Sequence, residues 1–194
     1  MSWDQYFQKT KNQAPRALHS KALAMDMNKG LAIDLGCGLG KEALETVKEG
    51  WTVLAIDKES MAIEQIEKLI GQLPENKLSI QQKSFEEIKI LPDADFIYSY
   101  HSLPFCHKDQ FYHLIPIIVK AINSSGFFSG SFFGIRDDWV KSGSCTGISV
   151  EDLKNYFSDF EILYFNEVEK QSPPVLKKQN KYWHILEIIA KKSV

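Results

Sequence analysis

Cysteine is scarce in this chain: three residues in 194, at positions 37, 106 and 145, odd in number and widely spaced. That excludes a disulfide framework and points to a reducing cytoplasm. An excess of basic residues is missing too, with 23 Lys plus Arg against 25 Asp plus Glu and a net charge of −2. Such a balance offers neither the positive footprint of a nucleic-acid binder nor a polybasic patch for a membrane surface. No apolar run is long enough for a bilayer, because the longest, from Leu114 to Ile122, is broken by Pro116 and Lys120. The opening MSWDQYFQKTKNQ is polar and has no apolar core of the signal-peptide kind. There is no internal repeat and no composition shift that marks a second domain. The length suits one α/β domain, residues 1–194, with a full sheet and helices on both faces.

One further absence carries the most information. The stretch from Leu31 to Asp57, LAIDLGCGLGKEALETVKEGWTVLAID, reads as strand, glycine turn, helix and second strand, the parts of a β-α-β nucleotide-binding unit. A dinucleotide site expects G-x-G-x-x-G, with pyrophosphate resting on the helix N-terminus. Here the third glycine of that pattern is replaced by Lys41, and the turn is G-x-G-x-G at Gly36, Gly38 and Gly40. A ligand without phosphates needs no pyrophosphate cradle, only close backbone approach and a carboxylate for an ammonium group. Asp34, two residues before Gly36, supplies that carboxylate, with satisfaction of the turn's own amides as its other role. Asp57, 21 residues past Gly36, ends the second strand where an acidic side chain takes both ribose hydroxyls. A nucleoside bearing a zwitterionic amino acid fits both ends, and S-adenosylmethionine is such a molecule. Cys37, inside the turn, reads as a small residue in tight space rather than a nucleophile.

Downstream, helical and strand patterns alternate. The spacing predicts a helix over 60–73 with Ser60 as its cap, a strand over 77–82, a brief turn over 84–88 and a strand over 95–101. A helix over 108–122 with a kink at Pro116 follows, then a strand over 126–133 and a capped helix over 149–157. Two last strands, 160–168 and 182–191, flank the polar loop QSPPVLKKQNK and suit an antiparallel edge hairpin.

The segment DLGCGLG, with Asp57 closing the next strand, resembles the class I S-adenosylmethionine-dependent methyltransferases, and the likeness extends across nearly the whole chain. The opening SWDQYFQKTKNQAPR, HSLPFC and the WH of the last strand are similar to small-molecule methyltransferases of the tellurite-resistance and thiopurine type. The resemblance implies a Rossmann-like, mostly parallel seven-stranded sheet with a C-terminal antiparallel hairpin, S-adenosyl-L-methionine as cofactor, and methyl transfer to a small-molecule acceptor.

Ligands of open parallel sheets bind at the carboxyl ends of the strands, near the switch in strand order. On that rule Ser84 and Phe85 flank the adenine, and Tyr100, His101 and Ser102 face the methionine end and the acceptor. Lys58, beside Asp57, joins the cofactor-binding set. Residues 1–25 form an N-terminal lid segment, with Trp3, Tyr6 and Phe7 at helical spacing over the cleft. Arg16 is suited by residue type and by the resemblance to a methionine carboxylate. A thiolate acceptor needs no base, whereas a hydroxyl acceptor makes His101 or Asp137 candidate bases. The plainer reading of His101 is a satisfied ring whose backbone carbonyl does the binding. Asp137, Asp138 and Trp139 lie in the long aperiodic segment GIRDDWVKSGSCTGIS, the mark of a functional or mobile loop; His184 reads as structural. His101, His107 and His113 lack the partners of a metal site. A nicotinamide-dependent oxidoreductase and a non-catalytic binder of S-adenosylmethionine are the alternatives.

Overall fold

The computed structural model describes residues 3–194. Along the chain come α1 (Trp3–Thr10), α2 (Ala17–Leu23), β1 (Leu31–Leu35), α3 (Lys41–Lys48), β2 (Thr52–Asp57), α4 (Ser60–Ile70), β3 (Leu78–Gln82) and β4 (Ala94–Tyr100). Then follow α5 (Lys108–Ala121), β5 (Ile122–Phe133), α6 (Asp138–Lys141), α7 (Val150–Tyr156), β6 (Phe160–Ser172) and β7 (Lys181–Lys192). The strands make one sheet in the order β3-β2-β1-β4-β5-β7-β6. The first five run parallel; β7 pairs antiparallel with both β5 and β6.

The central strands are apolar almost throughout because helices cover both of their faces. Ile33, Leu35, Leu54, Ile56 and Ile97 pack toward Phe111, Leu114 and Ile118 of α5. Ala32, Val53, Ala55, Phe96 and Tyr98 pack toward Leu18 and Ala22 of α2 and Ala43 and Val47 of α3. Chain order reverses where β1 pairs with β2 on one side and β4 on the other. A crevice opens there, at the carboxyl ends of the strands.

Four local expectations change. Ser60 does not cap α4: Glu59 occupies that position without a side-chain bond, its own amide being held by Asp57. β5 begins at Ile122 rather than Gly126, because a register shift opposite Ala94 and Phe96 and a left-handed Ser125 (φ 62°) carry the polar INSS stretch along the sheet. β6 runs to Ser172, so the tip of the terminal hairpin is only 173–180. The N-terminal segment, whose residues 1 and 2 lie outside the described ones, divides in function. α1 borders the crevice, whereas α2 packs on the sheet and buries Leu18, His19 and Ala22. Pro116 lies inside a continuous α5, on its exposed side.

Candidate active site

At the β1–β4 switch point lies a cleft of about 400 Å³. Its floor is the glycine turn, where Gly36, Gly38 and Gly40 take φ of 76°, 52° and 73°, a region that side-chain-bearing residues avoid. The amides of Gly36 and Cys37 bond the carbonyl of Ile56 at 2.8 and 3.2 Å. That of Gly38 donates to Asp57 Oδ2 at 2.8 Å, and Glu59 N donates to Asp57 Oδ1 at 3.0 Å. Asp57 is therefore the carboxylate that satisfies the turn, and the expectation that Asp34 does so is overturned. Each oxygen of Asp57 keeps lone-pair capacity for a further donor.

Asp34 is buried at the cleft, and among the described residues its Oδ2 has no hydrogen-bond partner. Burial, then the charges of Glu42 and Asp57, raise its carboxyl well above the ordinary carboxylate range. An unpaired buried acceptor is costly, and a cationic donor is the partner that relieves it. Arg16 borders the same space; its amide donates to Glu42 Oε1 (3.2 Å) and its guanidinium to the Tyr6 hydroxyl (3.3 Å). Lys58, Ser84 and Phe85 line the adjacent wall. Ser84 is fixed by a reciprocal capping box with Glu87, and a Cβ on Gly36 would stand 3.3 Å from the Phe85 ring. Cys37 borders the cleft, but burial pushes its thiol up, as suits a packing residue. Gly40 is not a lining residue: a Cβ there would meet Ile66 at 2.2 Å, so it serves the approach of α4 to the turn. Tyr100 borders the cleft with its hydroxyl engaged in the core by Ser129 and His19.

Across the cleft stands an aromatic wall of Phe105, Phe133, Trp139 and Trp183, joined edge to face. His101 lies at its foot with φ 54°, its amide donating to Ser131 Oγ at 2.9 Å. Its ring is only partly solvent-accessible. Desolvation, then the positive charges of Arg16, Lys170 and Lys181, push its pKa down to about 3. A ring this weakly basic is neutral at physiological pH and a poor proton acceptor. Asp137 is displaced from the expected set altogether. It is fully buried, does not border the cleft, and its carboxylate is engaged by the Lys181 ammonium, Trp139 N and His184 N. His184 sits at the back of the hairpin, accepting from Arg136 N at Nδ1 and meeting Glu167 at 2.8 Å through Nε2. Glu167, Glu169 and His184 converge closely enough to suggest a cation site, but the Arg136 guanidinium lodges among them.

Sequence reading did not find Phe105, Lys170 or the hairpin tip around Val175. Lys9 of α1 donates to the Val175 carbonyl (3.4 Å), so helix and tip close over the cleft together. Nothing local to either segment announces this meeting across 166 positions. Among the described residues no helix is long and apolar enough to cross a membrane.

A family model described as tellurite resistance protein TehB matches residues 1–172. The chain belongs to the TehB family. No curated protein matches it, but solved structures do. TehB from Haemophilus influenzae superposes with a TM-score of 0.78 at 18% identity, covering 99% of this chain and 68% of its own. Magnesium protoporphyrin IX methyltransferase from Synechocystis PCC 6803, solved with S-adenosylmethionine, gives 0.69 at 12% identity over 98% and 91%. The N-methyltransferase NodS from Bradyrhizobium japonicum WM9, solved with S-adenosylhomocysteine, gives 0.69 at 12% over 98% and 97%. At these identities the likeness carries the fold, which is the Rossmann-like fold of the class I methyltransferases.

Proposed function

We propose that this TehB-family protein is an S-adenosylmethionine-dependent methyltransferase acting on a small-molecule acceptor. The observation that carries the reading is the orphaned Asp34 oxygen, buried in the same cleft as Asp57 and the glycine turn. An ammonium group satisfies the first carboxylate and ribose hydroxyls the second, with the glycine turn lining the same cleft. Phe85 offers a face to the adenine, and Arg16 a guanidinium to the methionine carboxylate. Solved relatives of the same fold hold S-adenosylmethionine or S-adenosylhomocysteine.

When bound, the cofactor supplies a methyl group on a positively charged sulfur. The chain's own residues then align and dehydrate. Asp34, Asp57 and Arg16 fix the two ends of the ligand, while the aromatic wall excludes water and orients the acceptor. The neutral His101 ring takes no proton at working pH. With Asp137 buried away from the cleft and His101 a weak base, the cleft suits an acceptor that arrives with its lone pair free, as a thiolate or an oxyanion does. Lys170, at the rim, favours that charge.

Against a nicotinamide enzyme stands Lys41, whose ammonium reaches back to the Thr10 carbonyl (3.4 Å) beside the turn where a pyrophosphate would need room. Thermal-shift measurements with S-adenosylmethionine, S-adenosylhomocysteine and NADH separate the two; a response to NADH alone overturns the proposal. Turnover, read as S-adenosylhomocysteine release with dithiothreitol, tellurite and catechol as acceptors, separates enzyme from silent binder.

A further inference from the structure

Behind the aromatic wall lies a buried charge pair that cofactor binding does not use. Lys181 has 6% of its side chain exposed and Asp137 none, and the two form an ion pair. The ammonium nitrogen stands 3.9 Å from the ring centre of Trp183, 4.1 Å from that of Trp139 and 5.0 Å from that of Phe133. All three rings border the cleft; neither charged residue does. Asp137 is tied to backbone at the same time, accepting from Trp139 N at 2.9 Å and His184 N at 3.1 Å. One ion pair thus joins the loop after β5 to β7 and holds an indole from each.

A buried ion pair is a poor source of net stability, since apolar residues of the same volume serve as well or better. A cation against two indoles does supply direction, because the ring faces carry the negative side of the quadrupole. Trp139 and Trp183 meet with centroids 5.2 Å apart and planes at 64°. We propose that the Lys181–Asp137 pair positions the acceptor wall: it holds Trp139 and Trp183 at a set angle and so governs affinity for the methyl acceptor, leaving the cofactor half untouched. This rests on the reading of the wall as the acceptor side. Lys181 and Asp137 are positioning residues and touch neither ligand.

The test combines Lys181→Met with Asp137→Asn, which removes both charges while an amide oxygen can still cap Trp139 N, and sets it beside Lys181→Arg, which keeps the cation. Four readings are taken: melting temperature, S-adenosylhomocysteine affinity by calorimetry, near-ultraviolet circular dichroism of the indoles, and KM and kcat for whichever of dithiothreitol, tellurite or catechol is methylated. The proposal expects the charge-free variant to melt below wild type, because the amide NH2 introduced at position 137 faces the His184 N–H that the carboxylate had accepted, but to bind S-adenosylhomocysteine equally well. Its indole bands weaken, and KM rises about tenfold or more with kcat little changed, the pattern of lost ground-state binding. Lys181→Arg recovers most of both. Unchanged indole bands, or an unchanged KM, overturn it, whatever happens to the melting temperature. Should the double variant fail to fold, Lys181→Gln alone, with Asp137 still held by two amides, is read the same way. A wild type that methylates none of the three acceptors counts against the methyltransferase reading, and the indole spectra then decide the positioning of the wall.

Discussion

Asp34 shows how one side chain links sequence, burial and ligand. Its carboxyl is raised by burial and by Glu42 and Asp57, so the cofactor-free protein keeps a proton that the unfolded chain gives up near pH 4. The group therefore costs stability as pH rises above that value. A bound ammonium reverses the preference and expels the proton. S-adenosylmethionine affinity is then expected to rise with pH, by up to about tenfold per unit while Asp34 remains protonated. Calorimetry in buffers of different ionisation enthalpy should show proton release, and Asp34→Asn should abolish both effects. Asp57→Ala removes the carboxylate proposed to accept from the ribose and leaves the Gly38 and Glu59 amides unpaired. It is expected to weaken cofactor binding roughly a hundredfold, and unchanged affinity would remove Asp57 from that role. Both carboxylates were legible because their distances from Gly36 are short-range consequences of a strand, a turn and a second strand. Asp137 was not: its partner Lys181 lies 44 positions away, and nothing nearby says that the carboxylate is already engaged.

Among the elements, those with apolar period or strong punctuation read well. The capped α7, with Ser149 accepting from Asp152 N, came out as expected. α2 did not, because seven residues, ALHSKAL, give too short a pattern; a polar network joins Leu18 and Ala22 in holding it on the sheet. His19 Nδ1 meets the Tyr100 hydroxyl at 3.2 Å and Nε2 meets Thr46 Oγ1 at 3.0 Å, with Tyr98 beyond. Burial is the main cause of its lowered pKa, about 4. The unfolded chain binds a proton there first, near pH 6.5, so the stability is fully present above that pH and is lost as pH falls toward 4. The loss amounts to roughly 3 kcal/mol at most. The difference in denaturant-unfolding stability between the wild type and His19→Gln should shrink from pH 7 to pH 5, the opposing contribution of Asp34 being common to both. A difference that does not shrink would assign the acid sensitivity elsewhere.

For the whole molecule, the cleft draws on segments that are far apart in the chain, so cofactor binding should stabilise the fold as a unit. At about 100 times the dissociation constant the gain is roughly 2.7 kcal/mol. For a chain of this length that raises the melting temperature by about 5–10 °C, and differential scanning fluorimetry with S-adenosylhomocysteine checks it. The β-α-β unit, the alternation of helices and strands and the antiparallel hairpin were all dictated by local sequence. Hydrophobic period and glycine spacing act over one or two turns of chain, and their reading needs no partner. The aromatic side of the cleft, proposed to take the acceptor, was decided by tertiary packing alone. Its wall is drawn from the segment after β4, the end of β5, its loop and β7, its cover from α1 and the hairpin tip, and the weak basicity of His101 from burial, then from Arg16, Lys170 and Lys181. Desolvation and Coulomb effects depend on distance in space, and no spacing along the chain encodes it.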